Sequence, residues 1–232
     1  MEKNIVIGIE GYVGAGKTSI CKELLNRIPN SIIIHGGNLY RTIVYALLNL
    51  GKSKEVLSSK LKNVDIKQIM DKFNITIKLE NRETVFYING KLAKEEDIQS
   101  AESSMAVSMI GGIADNTKLF EFARNLIENF KKEYNVILSG RALMQIYPDL
   151  DYHFLVTASL NERVNRKYMQ YEGKVSKEEV EKNIVERDRL QEKAGFYKKY
   201  DKTIEVDVTD CTTIAKSTDK LMEHIKLPMN IH

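Results

Sequence analysis

Residues 5–18, IVIGIEGYVGAGKT, constrain the fold more than any other part of the chain. The β-branched run Ile5, Val6, Ile7 and Ile9 leads to Gly11, and four residues later Gly16-Lys17-Thr18 opens a helix-type segment over 19–27. The spacing predicts a buried strand, a tight loop and a helix. Glycine is needed because successive backbone N–H groups must turn inward onto phosphate oxygens at the positive end of the helix dipole. The pattern predicts a nucleoside triphosphate site lined by Gly11, Tyr12, Val13, Gly14, Ala15, Gly16, Lys17, Thr18 and Ser19. Lys17 would reach the β- and γ-phosphates, and Thr18 would offer its hydroxyl to magnesium. A glycine-rich βα turn without a ligand is the competing reading.

The rest of the chain repeats the alternation. SIII at 31–34 reads as a second buried strand ending at His35-Gly36-Gly37, with a helix over 39–50 behind it. NVILSG at 135–140, DYHFLVT at 151–157 and TIEVDV at 203–208 supply three more strands. Between and after them lie an amphipathic helix over 116–132, a basic helix carrying Arg163, Arg166 and Lys167, a helix over 176–192 opened by the capping box Ser176-x-x-Glu179, and a last helix over 213–225. Apolar strands joined by helices predict a parallel sheet covered on both faces.

One segment breaks the period. NITIKLENRETVFYING at 74–90 alternates twice around residues 80–83, which predicts a β-hairpin inserted into the βα series. Ligands of open parallel sheets bind beyond the carboxyl ends of the strands. Tyr40 and Arg41, behind the second strand, are therefore expected to face the phosphate loop, and Arg141 stands in the equivalent place behind the third.

Composition narrows the partners. Lysine and arginine number 35 against 32 acidic residues, a net charge of +3, so no basic field points to nucleic acid. The two cysteines, Cys21 and Cys211, form no metal-type or redox-type pair and fit a reducing compartment. No apolar run approaches the roughly 18 residues a membrane span needs, and no leader precedes the first strand. A cytoplasmic, monomeric protein acting on small nucleotides, without membrane or nucleic-acid partners, is expected. His35, His153, His224 and His232 show no metal-type spacing.

With these residues in view the chain resembles the cytidylate kinase family over nearly its whole length. The features that carry the resemblance are the phosphate loop, Tyr40-Arg41, Ser139-Gly140-Arg141, Arg187-Asp188, and the insert VFYING at 85–90 followed by IQSAESS at 98–104. The resemblance implies a P-loop kinase fold of the adenylate kinase type. Its five-stranded parallel core would span 1–70 and 113–232, with a lid at about 170–200 and a monophosphate-binding insert at 71–112. It implies ATP and Mg2+, with CMP or dCMP as acceptor. Arg41 and Arg141 would hold the acceptor phosphate, with Gly37, Tyr40 and Asp188 beside it and Ser104 near the base. Arg163 and Arg166 would face ATP, Arg187 would meet the transferring phosphoryl group, and Arg124 lies one position from a further substrate arginine.

The chain departs from that family in a cluster of places. His35 and Gly36 stand where an aspartate and a hydroxyl residue are usual, Ser139 and Ala142 replace two aspartates, and Gln191 and Ala194 replace a lid aspartate and arginine. Glu10 is the one acid left in a place to serve the metal. Tyr197 and Tyr200 are expected to pack the lid on the core, with stacking on a base as the alternative. Two other readings stay open: a P-loop kinase whose acceptor is a different small compound, and a nucleotide-binding module without catalysis.

Overall fold

The computed structural model describes residues 4–48, 66–98, 117–172 and 174–227. Ser104 and residues 99–104 of the IQSAESS segment lie outside them. The elements run β1 (Val6–Gly11), α1 (Lys17–Arg27), β2 (Ser31–His35), α2 (Gly36–Leu48), α3 (Ile66–Lys72), β3 (Ile75–Glu80), β4 (Glu83–Ile88), β5 (Lys91–Leu92) and α4 (Glu95–Ile98). They continue with α5 (Thr117–Lys131), β6 (Asn135–Ser139), α6 (Leu143–Ile146), β7 (Tyr152–Thr157), α7 (Leu160–Gln170), α8 (Lys177–Lys193), β8 (Thr203–Asp207) and α9 (Ile214–Met222).

The five predicted core strands form a parallel array in the order β2-β6-β1-β7-β8. β1 sits at its centre, buried along its whole length, because β-branched side chains suit a strand covered on both faces. Ile5, Ile7 and Ile9 pack with Ile20, Leu24 and Leu221 on one face, and Val6 packs with Ile127, Leu143 and Tyr147 on the other. Gly8 lacks a side chain for a spatial reason, since a Cβ there would lie 2.6 Å from Leu150 Cδ1.

The sheet is wider than the predicted five strands. The hairpin β3–β4 turns on Asn81 and Arg82, both at positive φ as a two-residue turn matched to strand twist requires. It then docks on the outer edge of β2, extending the sheet to eight strands in the order β3-β4-β2-β6-β1-β7-β8 with β5 on β4. Ile33 N–H donates to Arg82 O at 2.8 Å and His35 N–H to Thr84 Oγ1 at 3.0 Å. His35 Nε2 also lies 2.7 Å from Glu83 Oε2. These bonds occupy an edge that would otherwise expose unpaired backbone groups.

Ser176 caps α8 by accepting from Glu179 N–H, the contact its sequence pattern anticipates. Val180 and Ile184 of α8 pack with Val164 of α7 and with Val13 of the phosphate loop. Helix α8 is thus seated directly on that loop. Among the described residues no helix is long and apolar enough to cross a membrane.

Candidate active site

The phosphate loop has the conformation its glycines permit. Gly14 and Gly16 take φ of +81° and +95°, and Gly16 caps α1 in the left-handed region that other residues enter at a cost. Gly11 is required by proximity, because a Cβ there would fall 2.3 Å from Val156 O. Lys17 Nζ folds back and donates to Gly11 O at 3.1 Å. Thr18 and Ser19 are exposed at the start of α1.

Three of the predicted cations converge here from three elements. Burial first, then the charge of Arg141 and, to a lesser extent, that of Arg187, bring Lys17 down to about 7, with Cys21 and Glu10 opposing. Arg141, at the carboxyl end of β6, is likewise lowered by burial and by Arg187. Among the described residues neither Arg141 nor Arg187 makes a hydrogen bond or ion pair, so their planar forks remain open to a ligand. Lys167 of α7 is lowered by burial and by the same Arg187. Mutual repulsion of this kind is relieved by a polyanion.

Behind β2, Gly36 and Gly37 open α2 beside Gly140, with Cα and N atoms 4.0 Å from where a Gly140 Cβ would stand. Arg41 Nη1 donates to Asn38 Oδ1 at 3.4 Å. Tyr40 packs against the cluster of Leu39, Ile43 and Phe86, and burial holds its hydroxyl well above the usual tyrosine range. These residues stand beyond the carboxyl ends of the adjacent strands β2 and β6, where His35 is in register with Ser139.

Other expected site residues are committed to the protein itself. Arg163 is buried; its Nη1 donates to Asp188 Oδ2 at 2.5 Å and to Val13 O at 3.1 Å, and its Nε to Ala158 O at 3.0 Å. Asp188 Oδ1 accepts from Val13 N–H at 3.4 Å, so the pair grips both sides of one loop residue. Arg166 donates to Glu162 Oε1, Val208 O, Ala15 O and Cys211 O, bracing the loop from below. The structure therefore gives Arg163, Arg166 and Asp188 to the frame around the phosphates, because each meets an unpaired backbone group there. Arg124 is exposed and donates Nε to Ile146 O at 3.2 Å, apart from the three-cation cluster.

Glu10, expected near the metal, is turned elsewhere. It lies on the face of β1 opposite Ile7 and Ile9, where Oε1 accepts from Leu143 N–H at 2.6 Å and stands 3.4 Å from His153 Nε2. The N–H at the start of a helix is a strong competitor for a carboxylate. Among the described residues no group of three or more His, Cys, Asp or Glu assembles. The exposed Thr18 hydroxyl at the start of α1 would suit Mg2+, an ion that keeps several waters and takes its other oxygens from substrate phosphates.

The aromatic residues form a contact with no local sequence signal. The Tyr12 and Tyr197 rings stack at 4.2 Å between centroids and 21° between planes. Arg163 lies over Tyr12 at 5.3 Å and Arg141 over Tyr197 at 5.6 Å. Tyr197, in the segment after α8, packs on the phosphate loop through this stack, while Tyr200 meets the His153 ring edge-on at 6.1 Å.

Comparison with known proteins follows the same lines. The family described as Cytidylate kinase matches residues 7–227. A protein named cytidylate kinase from Clostridioides difficile (strain 630) is 29% identical over 98% of this chain and 99% of its own length. One of the same name from Clostridium botulinum (strain Langeland) is 30% identical over 96% and 98%, and one from Halalkalibacterium halodurans is 25% identical over 97% and 98%.

Proposed function

The chain belongs to the cytidylate kinase family, and on that premise we propose that it moves the γ-phosphoryl group of ATP onto CMP or dCMP, releasing ADP and CDP or dCDP. The family is one of nucleoside monophosphate kinases, so the chain is a phosphoryl-transfer enzyme. The observation that supports the reading is the meeting of Lys17, Arg141 and Arg187: the charge of Arg187 lowers both Lys17 and Arg141, and among the described residues none of the three bonds a carboxylate. Such a cluster suits two phosphate chains brought end to end.

Each residue then has a physical task. The backbone N–H groups of residues 11–19 and the Lys17 ammonium hold the ATP phosphates. Arg41 and Arg141 hold the acceptor phosphate, with Gly37 allowing it close to the backbone and Tyr40 beside it. Arg187 neutralises charge that spreads over the moving phosphoryl group. The bond from the γ-phosphorus to the β-phosphate bridging oxygen breaks as one forms to an acceptor phosphate oxygen. That oxygen is already deprotonated, so no general base is required, consistent with the lack of a free carboxylate among these residues. Thr18 would hold Mg2+, which supplies further charge neutralisation on the phosphates. The lid at about 170–200 would close over the pair and exclude water.

The test is a coupled assay of ADP release with ATP, magnesium and each of CMP, dCMP, UMP, AMP and GMP, with a control lacking acceptor. Turnover confined to CMP and dCMP is expected. Binding of ATP without turnover on any of the five would refute the proposed reaction and point to another acceptor, for which the altered positions Gly36, Ala142, Gln191 and Ala194 are the places to look.

A further inference from the structure

The four side chains Arg163, Tyr12, Tyr197 and Arg141 lie in one continuous column, cation on ring on ring on cation. The column joins α7, the phosphate loop, the segment after α8 and the end of β6, parts of the chain that share no secondary structure. Its two ends differ in kind. Arg163 has its donors committed to Asp188, Val13 O and Ala158 O, so it is fixed. Arg141, among the described residues, makes no hydrogen bond or ion pair, and lies with its guanidinium over the Tyr197 ring.

We propose that Tyr197, seated on Tyr12, is a positioning residue that orients the Arg141 guanidinium for the acceptor phosphate while leaving every one of its donors unused. A ring face attracts a guanidinium through its quadrupole and leaves the N–H edge in the plane open, whereas a carboxylate partner would occupy that edge. The proposal rests on the reading of Arg141 as the acceptor-phosphate group.

Several observations support a role beyond space filling. Tyr197 is buried and takes φ of +65°, a left-handed conformation that is unfavourable for an aromatic residue and persists only where its surroundings determine it. Its hydroxyl donates to Gln191 Oε1, which fixes the ring in rotation. Gln191 occupies the position where the family has a lid aspartate, and Ala194 that of a lid arginine. Burial also raises the Tyr197 hydroxyl to about 12, keeping it a neutral donor. Gly195, at φ +80°, turns the chain so that residue 197 reaches back to the phosphate loop.

The test compares Tyr197→Leu and Tyr197→Met, which keep apolar bulk but have no π face, with Tyr197→Phe, which keeps the ring and loses only the hydroxyl. Steady-state kinetics are measured with CMP and ATP varied separately, alongside Arg141→Ala and thermal melting of each variant. The expected result is a rise in the KM for CMP of roughly three- to thirtyfold in the Leu and Met variants, the range a desolvated cation–π contact implies. The KM for ATP should stay within about twofold, and Tyr197→Phe should return the KM for CMP most of the way. The proposal is overturned if Arg141→Ala raises the KM for CMP but neither Leu nor Met does. A fall in that KM would also overturn it, since the ring would then be an obstruction. So would an equal rise in both KM values that follows the loss of melting temperature, the signature of packing alone. If Arg141→Ala leaves the KM for CMP unchanged, the site reading itself fails and Tyr197 has nothing to position.

Discussion

Replacing Asp188 by alanine tests how α8 is fastened to the phosphate loop. The Asp188 and Arg163 side chains are 12% and 9% exposed, so their 2.5 Å ion pair is not a surface contact, for which ~0–1 kcal/mol would be expected. Truncation leaves the guanidinium with two carbonyl partners, Val13 O and Ala158 O, but no counter-charge, and strips Val13 N–H of its acceptor. Breaking one side of a buried pair costs about 3–5 kcal/mol. For a chain of this size that corresponds to roughly 6–20 °C in Tm, at about 2–4 °C per kcal/mol. Urea unfolding of the wild type, Asp188→Ala and the double variant Asp188→Leu with Arg163→Met would measure it. The double variant removes both charges and should recover most of the loss. A loss below about 1 kcal/mol in Asp188→Ala, or a double variant as unstable as the sum of the singles, refutes the reasoning. Asp188→Ala should also raise the KM for ATP, because Val13 is then held on its carbonyl side alone.

Lys17→Ala should lower kcat by two or more orders of magnitude, since it removes a cation matched to transition-state charge; rapid-quench turnover within about tenfold of wild type would contradict that role. The Lys17 ammonium also predicts a pH effect. Its folded value of about 7 lies below the ordinary 10.5, so between those values the unfolded chain carries a proton that the native chain lacks. Its contribution to the stability of the nucleotide-free protein therefore rises with pH across that window and is least favourable below about pH 7. A bound triphosphate restores the charge, so ATP binding at about pH 8 should take up close to one proton, and calorimetry in buffers of different ionisation enthalpy would detect its absence. Gly11→Ala should destabilise the protein by about 2 kcal/mol or more, because its Cβ would meet Val156 O at 2.3 Å; denaturant melts matching wild type would show that β1 and β7 can part there.

The backbone of this protein was largely legible in the chain because its determinants are local. β-branched runs set the five core strands, the double alternation at 74–90 set the hairpin, and Ser176 and Glu179 set the start of α8. Gly14 and Gly16 stand where the loop needs positive φ, and Lys17, Arg141 and Arg187 were recognised from strand ends and motif positions. The tertiary structure decided the partners. Arg163 and Asp188 read as ligand-binding residues in one dimension, yet each finds the other and the Val13 peptide when α7 and α8 pack together. Glu10 is drawn from the metal side to the Leu143 N–H by the free start of α6. The hairpin extends the main sheet because β2 offers an unpaired edge, and Tyr12 meets Tyr197 although nearly the whole chain separates them. Local sequence governs φ, ψ and periodicity, whereas which charge pairs with which is a competition among groups that only packing brings within reach.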